Sequence, residues 1–266
     1  MSELLESLVA SVLASDKYAH ITPDFVRAVA AEQLRRHAKS KDALKATKNK
    51  LHQVAAAYFD GKVTYTAWLR QLAQASAEER RAVCRAIMAN HASTRERLPV
   101  LDNLYATLTA KLPPIRSVVD VACGLSPLAA LWLPDLTHYY AYDVYHDLAD
   151  FLNSFFQLIG VQGGAYVQDV LSNPPSQSAD VAFVMKALPC LAQLDAAAAE
   201  SLLDRLDAEH LIVTFPARSL SGRAKGMVEN YSARFESLVA ARCWQAERLI
   251  VANEVVFIVH QLARPV

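Results

Sequence analysis

Apolar residues in the first 110 positions recur three and four apart. Ser11-Val12-Leu13, Phe25-Val26, Val29-Ala30 and Leu34, then Leu44, Leu51, Val54-Ala55 and Tyr58, fall at the i, i+3, i+4, i+7 spacing that lines one helix face. Thr22-Pro23-Asp24 predicts a helix start, with Thr22 as N-cap and Pro23 at the first helical position, where its missing N–H costs nothing. His91 and Ser93 read as helix-cap residues, because Ser93 and Glu96 have the S-x-x-E spacing of a capping box. After Pro113-Pro114 the texture changes. Short β-branched and aromatic runs at 117–122, 138–143, 165–168, 179–185, 211–215, 248–252 and 255–260 predict seven strands. Helix-length segments separate the first five, which is the βαβ signature of a parallel doubly wound sheet. The last two lie close together and read as an antiparallel pair. The expected organisation is an all-helical domain over 1–110 and an α/β domain over 111–266.

Composition narrows the class. Of 266 residues, 53% are hydrophobic and 20% charged, as in a globular protein with a sizeable core. No apolar run approaches the ~18 residues of a membrane span. Glu3 and Glu6 near the N-terminus do not suit a secretory signal, so a cytoplasmic protein away from membranes is expected. The four cysteines, Cys84, Cys123, Cys190 and Cys243, form no CxxC pair and have no histidine cluster beside them. Neither a metal site nor a disulfide framework is expected, and Cys123 reads as a small buried hydrophobe.

Charge adds an asymmetry. The net charge is zero, yet residues 1–97 hold 16 Lys and Arg against 10 Asp and Glu, leaving 11 against 17 for the remainder. Between Arg35 and Lys50 lie seven basic residues (Arg35, Arg36, Lys39, Lys41, Lys45, Lys48, Lys50) and one acid, Asp42. Such a run suits docking on nucleic-acid phosphates, which is salt-dependent and not base-specific.

The candidate chemistry lies at the strand ends. The first strand, Ser117–Ala122, carries Asp120 near its end and runs through Cys123 into Gly124, and a doubly wound sheet binds ligands at the strands' carboxyl ends. The segment lacks GxGxxG and a Walker lysine, so nucleotide phosphate sites lose ground. Asp143 ends the second strand about 20 residues on, where a carboxylate can accept from both ribose hydroxyls of an adenosine. Asp169 follows the third strand and can accept from an adenine amino group, with Val170 packing on the base. As a bland role, Asp169 can instead cap a helix. Glycine turn, acid and acid together suit S-adenosylmethionine (SAM), and five parallel strands plus a hairpin match the class I SAM-dependent methyltransferase sheet.

Three stretches carry a closer resemblance: His91–Leu98 (HASTRERL), Asp120–Leu128 (DVACGLSPL) and Phe215–Met227 (FPARSLSGRAKGM) with Glu229-Asn230-Tyr231. Together they resemble the Arm family of aminoglycoside-resistance 16S rRNA methyltransferases, and the likeness runs from end to end. It implies SAM-dependent methylation of N7 of guanine 1405 in helix 44 of 16S rRNA, within the assembled 30S subunit, with S-adenosylhomocysteine (SAH) as by-product. It implies Ala122, Gly124, Asp143, Asp169 and Val170 at the cofactor, with Arg97 on its methionyl carboxylate. Lys186, Arg223, Met227 and Asn230 would position the target base, and Arg218 and Lys225 would hold flanking phosphates. Arg95 reads as a surface charge. Guanine N7 has a free lone pair, so no general base is assigned. A monomer docking on the ribosome is expected. Two other readings remain: methylation of a different rRNA base (such as the decoding-site adenine N1) or of a small molecule, and a non-catalytic RNA-binding or assembly protein.

Overall fold

A computed structural model describes residues 2–59, 63–216, 227–251 and 254–261. Seven strands share one sheet: β1 (Ser117–Val121), β2 (His138–Asp143), β3 (Gln162–Val167), β4 (Ala179–Met185), β5 (Ala208–Pro216), β6 (Gln245–Val251) and β7 (Glu254–His260). Their order is β3-β2-β1-β4-β5-β7-β6. The first five run parallel, and β7 joins β5 and β6 antiparallel. This is the class I SAM-dependent methyltransferase fold. The chain passes from β1 to β2 on one side and later returns to β4 on the other, so a crevice opens at the carboxyl end of β1.

The β-branched runs were sufficient to find all seven strands, but not their ends. β3 begins at Gln162 and not at 165, because Gly163 and Gly164 belong to it. Gly163 has φ +100°, and a Cβ there would lie 2.3 Å from the Tyr139 carbonyl oxygen of β2. The glycine is required by the neighbouring backbone, so here it does not break the strand.

Eleven helices are described: α1 (Ser2–Leu13), α2 (Pro23–Arg36), α3 (Ser40–Leu51), α4 (Tyr65–Gln74), α5 (Ala77–Met88), α6 (Ala92–Arg97), α7 (Leu101–Lys111), α8 (His146–Ile159), α9 (Leu188–Ala192), α10 (Ala196–Arg205) and α11 (Met227–Ala241). A π-helical turn, His52–Ala56, extends α3. One core joins Leu72, Cys84, Ile87, Leu104 and Leu108 of α4, α5 and α7 to α8 and one face of the sheet. A second core packs α9, α10 and α11 on the other face. Only α1, α2, α3 and the π turn build a core of their own, around Val12, Phe25, Val26 and Leu51. The apolar cores part between Ala55 and Trp68. Helical periodicity continues across that point, but the later helices bury their stripes on the sheet.

Thr22 is the N-cap of α2, with Pro23 following. Its side chain makes no capping bond, and its N–H donates to Val144 O at 2.8 Å. The capping box expected at Ser93–Glu96 is absent. His91 is the N-cap of α6, Ser93 lies within the helix, and Glu96 turns to Lys186. A box of the same spacing forms instead at Ser76 and Glu79 of α5. All four cysteines are free thiols. Among the described residues, no helix is long and apolar enough to cross a membrane.

Candidate functional site

A cavity of about 820 Å³, counting its open mouth, lies at the carboxyl ends of β1, β2 and β4. Three residues on its wall have left-handed backbones: Ala122 (φ +50°), Gly124 (φ +51°) and Lys186 (φ +59°). For Ala122 and Lys186 this conformation costs roughly 1–2 kcal/mol each, and such strain gathers at functional sites. Asp143 ends β2 against the turn. Its Oδ2 accepts from Gly124 N–H at 2.9 Å and its Oδ1 from Val144 N–H at 2.7 Å. Burial pushes the Asp143 carboxyl up, while the backbone N–H groups pull it back down. The Cys123 thiol also points to Oδ2, with Sγ at 4.0 Å. Asp169 and Val170 line the same cavity. Asp169 caps a turn rather than a helix, accepting from Leu171 N–H at 3.1 Å and the Ser172 hydroxyl at 2.7 Å.

The opposite wall comes from the helical N-terminal part. Phe25 of α2, Val54 and Ala55 of the π turn, then Tyr58, Phe59 and His91 line the cavity. Ala92 N–H donates to Tyr58 O at 2.7 Å, which folds the 58–59 segment onto the start of α6. His91 packs edge-on to Phe59 and parallel to Tyr58, with ring centroids 4.8 and 5.7 Å away. Burial, reinforced by Arg97 and Lys186, holds its imidazole down at about 3, so it is neutral at physiological pH. Its Nδ1 has no hydrogen-bond partner among the described residues. The sequence reading missed this wall, apart from naming His91 as a cap residue.

Beneath the cavity lies a four-charge network. Arg97 is fully buried, its Nη2 donating to Glu254 Oε1 at 2.8 Å and its Nη1 to the Ser126 hydroxyl at 3.1 Å. Nε also reaches both Glu254 oxygens, at 3.1 and 3.2 Å. Arg97 is not among the residues lining the cavity, and the carboxylate it holds here belongs to β7 of its own chain. Lys186 does line the cavity. Its Nζ lies 2.9 Å from Glu96 Oε2 and 3.6 Å from Glu254 Oε2. The two cations lower the Glu254 carboxyl against the burial that would raise it.

Asp120, under the turn, is fully buried, and burial raises its carboxyl to about 7. Tyr139 donates to its Oδ2 at 2.7 Å. Cys123 is buried beside it, as expected.

The basic run falls on the last turn of α2 and along α3. Arg35, Arg36, Lys39, Lys41 and Lys45 are exposed, whereas Lys48 and Lys50 are half-buried. Arg35 and Arg36 pair with Glu32, and Lys50 donates to Gln193 O at 3.3 Å. Arg95 is exposed. Asn230 is exposed on the first turn of α11. Met227 begins α11, but its side chain lies outside the described residues, as do Arg218, Arg223 and Lys225. Among the described residues, no cluster of His, Cys, Asp and Glu could hold a metal ion.

Residues 14–258 match the family model described as ribosomal RNA methyltransferase (FmrO). A 16S rRNA (guanine(1405)-N(7))-methyltransferase of Micromonospora rosea is 35% identical over 97% of both chains. A relative of the same name from Frankia casuarinae is 37% identical over 94% of this chain and 92% of its own. The crystal structure of the 16S rRNA methyltransferase RmtF in complex with SAH superposes with a TM-score of 0.86, at 32% identity, over 98% of this chain and 100% of that one.

Proposed function

The chain belongs to the FmrO family of ribosomal RNA methyltransferases, and from that premise we propose that it methylates N7 of guanine 1405 in helix 44 of 16S rRNA, within the assembled 30S subunit. The observation that carries this reading is the pairing of an end-to-end likeness to relatives bearing that name with a cavity whose acids suit an adenosine. The residues present fit SAM. Gly124 lets the turn close against His91 at the cavity wall, Asp143 and Asp169 offer acceptors, and Val170 and Phe25 offer apolar wall. Asp143 would accept from the ribose hydroxyls, Asp169 from the adenine amino group, and Val170 would pack on the base. SAM, when bound, supplies a methyl group on a cationic sulfur.

The chain's own contribution is positioning. Guanine N7 has its lone pair free, so no residue must remove a proton. The base has to leave its stack, at a cost of a few kcal/mol, and be held near ~3 Å from the methyl. Lys186, Arg223, Met227 and Asn230 would hold the target base, and Arg218 and Lys225 the flanking phosphates. Lys39, Lys41 and Lys45 offer exposed charge for docking on rRNA, with Arg35, Arg36, Lys48 and Lys50 beside them. A neutral His91 adds no positive charge to the cavity that would hold a cationic cofactor. The enzyme acts as a monomer in the cytoplasm.

N7-methylguanine is cationic and has lost an acceptor. A polycationic aminoglycoside meets like charge there, and every ~1.4 kcal/mol lost costs tenfold in affinity. Expression in a susceptible bacterium should place 7-methylguanosine at position 1405, seen by mass spectrometry of digested 16S rRNA. It should raise tolerance of kanamycin and gentamicin and leave apramycin unaffected. Apramycin resistance would point instead to the adenine N1 reaction.

A further inference from the structure

Glu96 takes no part in the scheme above, yet it lies beside Lys186 at the end of β4. It sits on α6 between Arg95 and Arg97, and its Oε2 accepts from Lys186 Nζ at 2.9 Å. The lysine side chain is 7% exposed and the glutamate 36%, so the carboxylate is the partner nearer solvent. Lys186 and Ser93 of the same short helix line the cavity. The Tyr58 hydroxyl, also on the wall, feels the charge of both Glu96 and Tyr231, so α6, the 58–59 segment and α11 converge here. Among the described residues, Lys186 is the one Lys or Arg lining the cavity.

The ammonium does not depend on Glu96 alone. Glu254, fixed from behind by Arg97, lies 3.6 Å from Nζ. Glu96 is therefore the more accessible partner of an already balanced cation. Together the two side chains set a carboxylate acceptor directly beside an ammonium donor at the end of β4.

Guanine carries the complement of that pair. On its Watson–Crick edge N1–H and N2–H donate, and O6 next to them accepts. N7 lies on the other side of O6, so a guanine held by its Watson–Crick edge keeps N7 free. Adenine offers N1 as an acceptor where guanine has a donor, and a carboxylate would repel it.

We infer that Glu96 and Lys186 read the target base, Glu96 accepting from N1–H and N2–H and Lys186 donating to O6. The inference rests on guanine N7 being the methylated atom. Glu96 is then a specificity-determining residue, and selection lies in a carboxylate acceptor that a wrong base leaves without its donors.

The test compares methyl transfer to purified 30S subunits carrying guanine or adenine at the target position. The wild type should methylate only the guanine subunits. Glu96→Gln should lower kcat/KM on them at least ~30-fold, the scale on which a lost charged acceptor discriminates. SAH affinity should stay within about twofold, which separates base reading from cofactor binding. The preference for guanine over adenine should narrow, and Glu96→Asp should recover part of the rate. Unchanged activity of Glu96→Gln on guanine subunits overturns the pair. So does a loss of SAH affinity in step with activity, which would place the effect of Glu96 on cofactor binding. Wild-type transfer to a base other than guanine overturns the underlying reading and the pair with it.

Discussion

Gly124 and His91 meet across the wall of the cavity: a Cβ built on Gly124 would lie 2.7 Å from His91 Nε2 and 2.8 Å from Cε1. The turn after β1 and the start of α6 are thus fitted to each other at the point where an adenosine cofactor would lie.

Gly124→Ala should therefore cost SAH affinity tenfold or more, alongside roughly 1–2 kcal/mol of stability from the φ of +51°. Adding His91→Ala removes the clash and leaves the backbone strain. The double variant should recover part of the affinity and little of the stability. Calorimetry with SAH and thermal denaturation read the two effects separately. A double variant no better than Gly124→Ala would mean that the contact with His91 is not what excludes a side chain.

Asp143→Ala should weaken SAH by about 10- to 100-fold, the scale of one or two hydrogen bonds to a charged group. Asp143→Asn keeps an acceptor for Gly124 N–H and should fall between. Unchanged affinity in Asp143→Ala would contradict the ribose assignment.

Asp120 predicts a pH dependence of stability. Its carboxyl rises from 3.8 to about 7 on folding. Below pH 4 both states hold the proton. Between about 4 and 7 only the unfolded chain ionises, so stability falls as pH rises, and above 7 the loss is complete. His91 works in the opposite direction: its folded value near 3 lies below the unfolded 6.5, so stability falls as pH drops through that window. Asp120→Asn removes only the first effect. The melting temperature of the variant relative to wild type should climb between pH 4 and 7 and then level off. A constant difference would mean that Asp120 is ionised in the folded protein throughout.

Lys41→Glu with Lys45→Glu should reduce methylation of 30S subunits without changing SAH affinity. Both side chains are exposed on α3, away from its buried face of Ala43, Thr47 and Leu51. If each touches a phosphate, the slope of log affinity against log salt should shrink by about one per residue. An unchanged slope would take α3 off the ribosome.

Much of this was legible in the chain because it depends on local pattern. The β-branched runs mark strand interiors, and the acids at 143 and 169 fall at strand ends whose spacing the sheet dictates. What escaped depends on distant partners. Gly163 belongs to a strand only because the Tyr139 carbonyl approaches it. A buried Arg97 requires an anion, but nothing near position 97 says that Glu254, 157 residues away, supplies it. The S-x-x-E spacing occurs at both Ser76 and Ser93, and packing decided between them: His91 was drawn against Gly124, so α6 began one residue before Ser93. Tyr58, Phe59 and His91 meet through a single bridge between Phe59 and His91, which no periodicity announces.

The most direct test of the account is methyl transfer from labelled SAM to purified 30S subunits, with naked 16S rRNA alongside. Borohydride and aniline treatment then cleaves at 7-methylguanosine, and primer extension finds the break. The account predicts one stop, at guanine 1405, with 30S subunits and none with naked rRNA. Label incorporated without that cleavage, or a stop at another guanine, would contradict it.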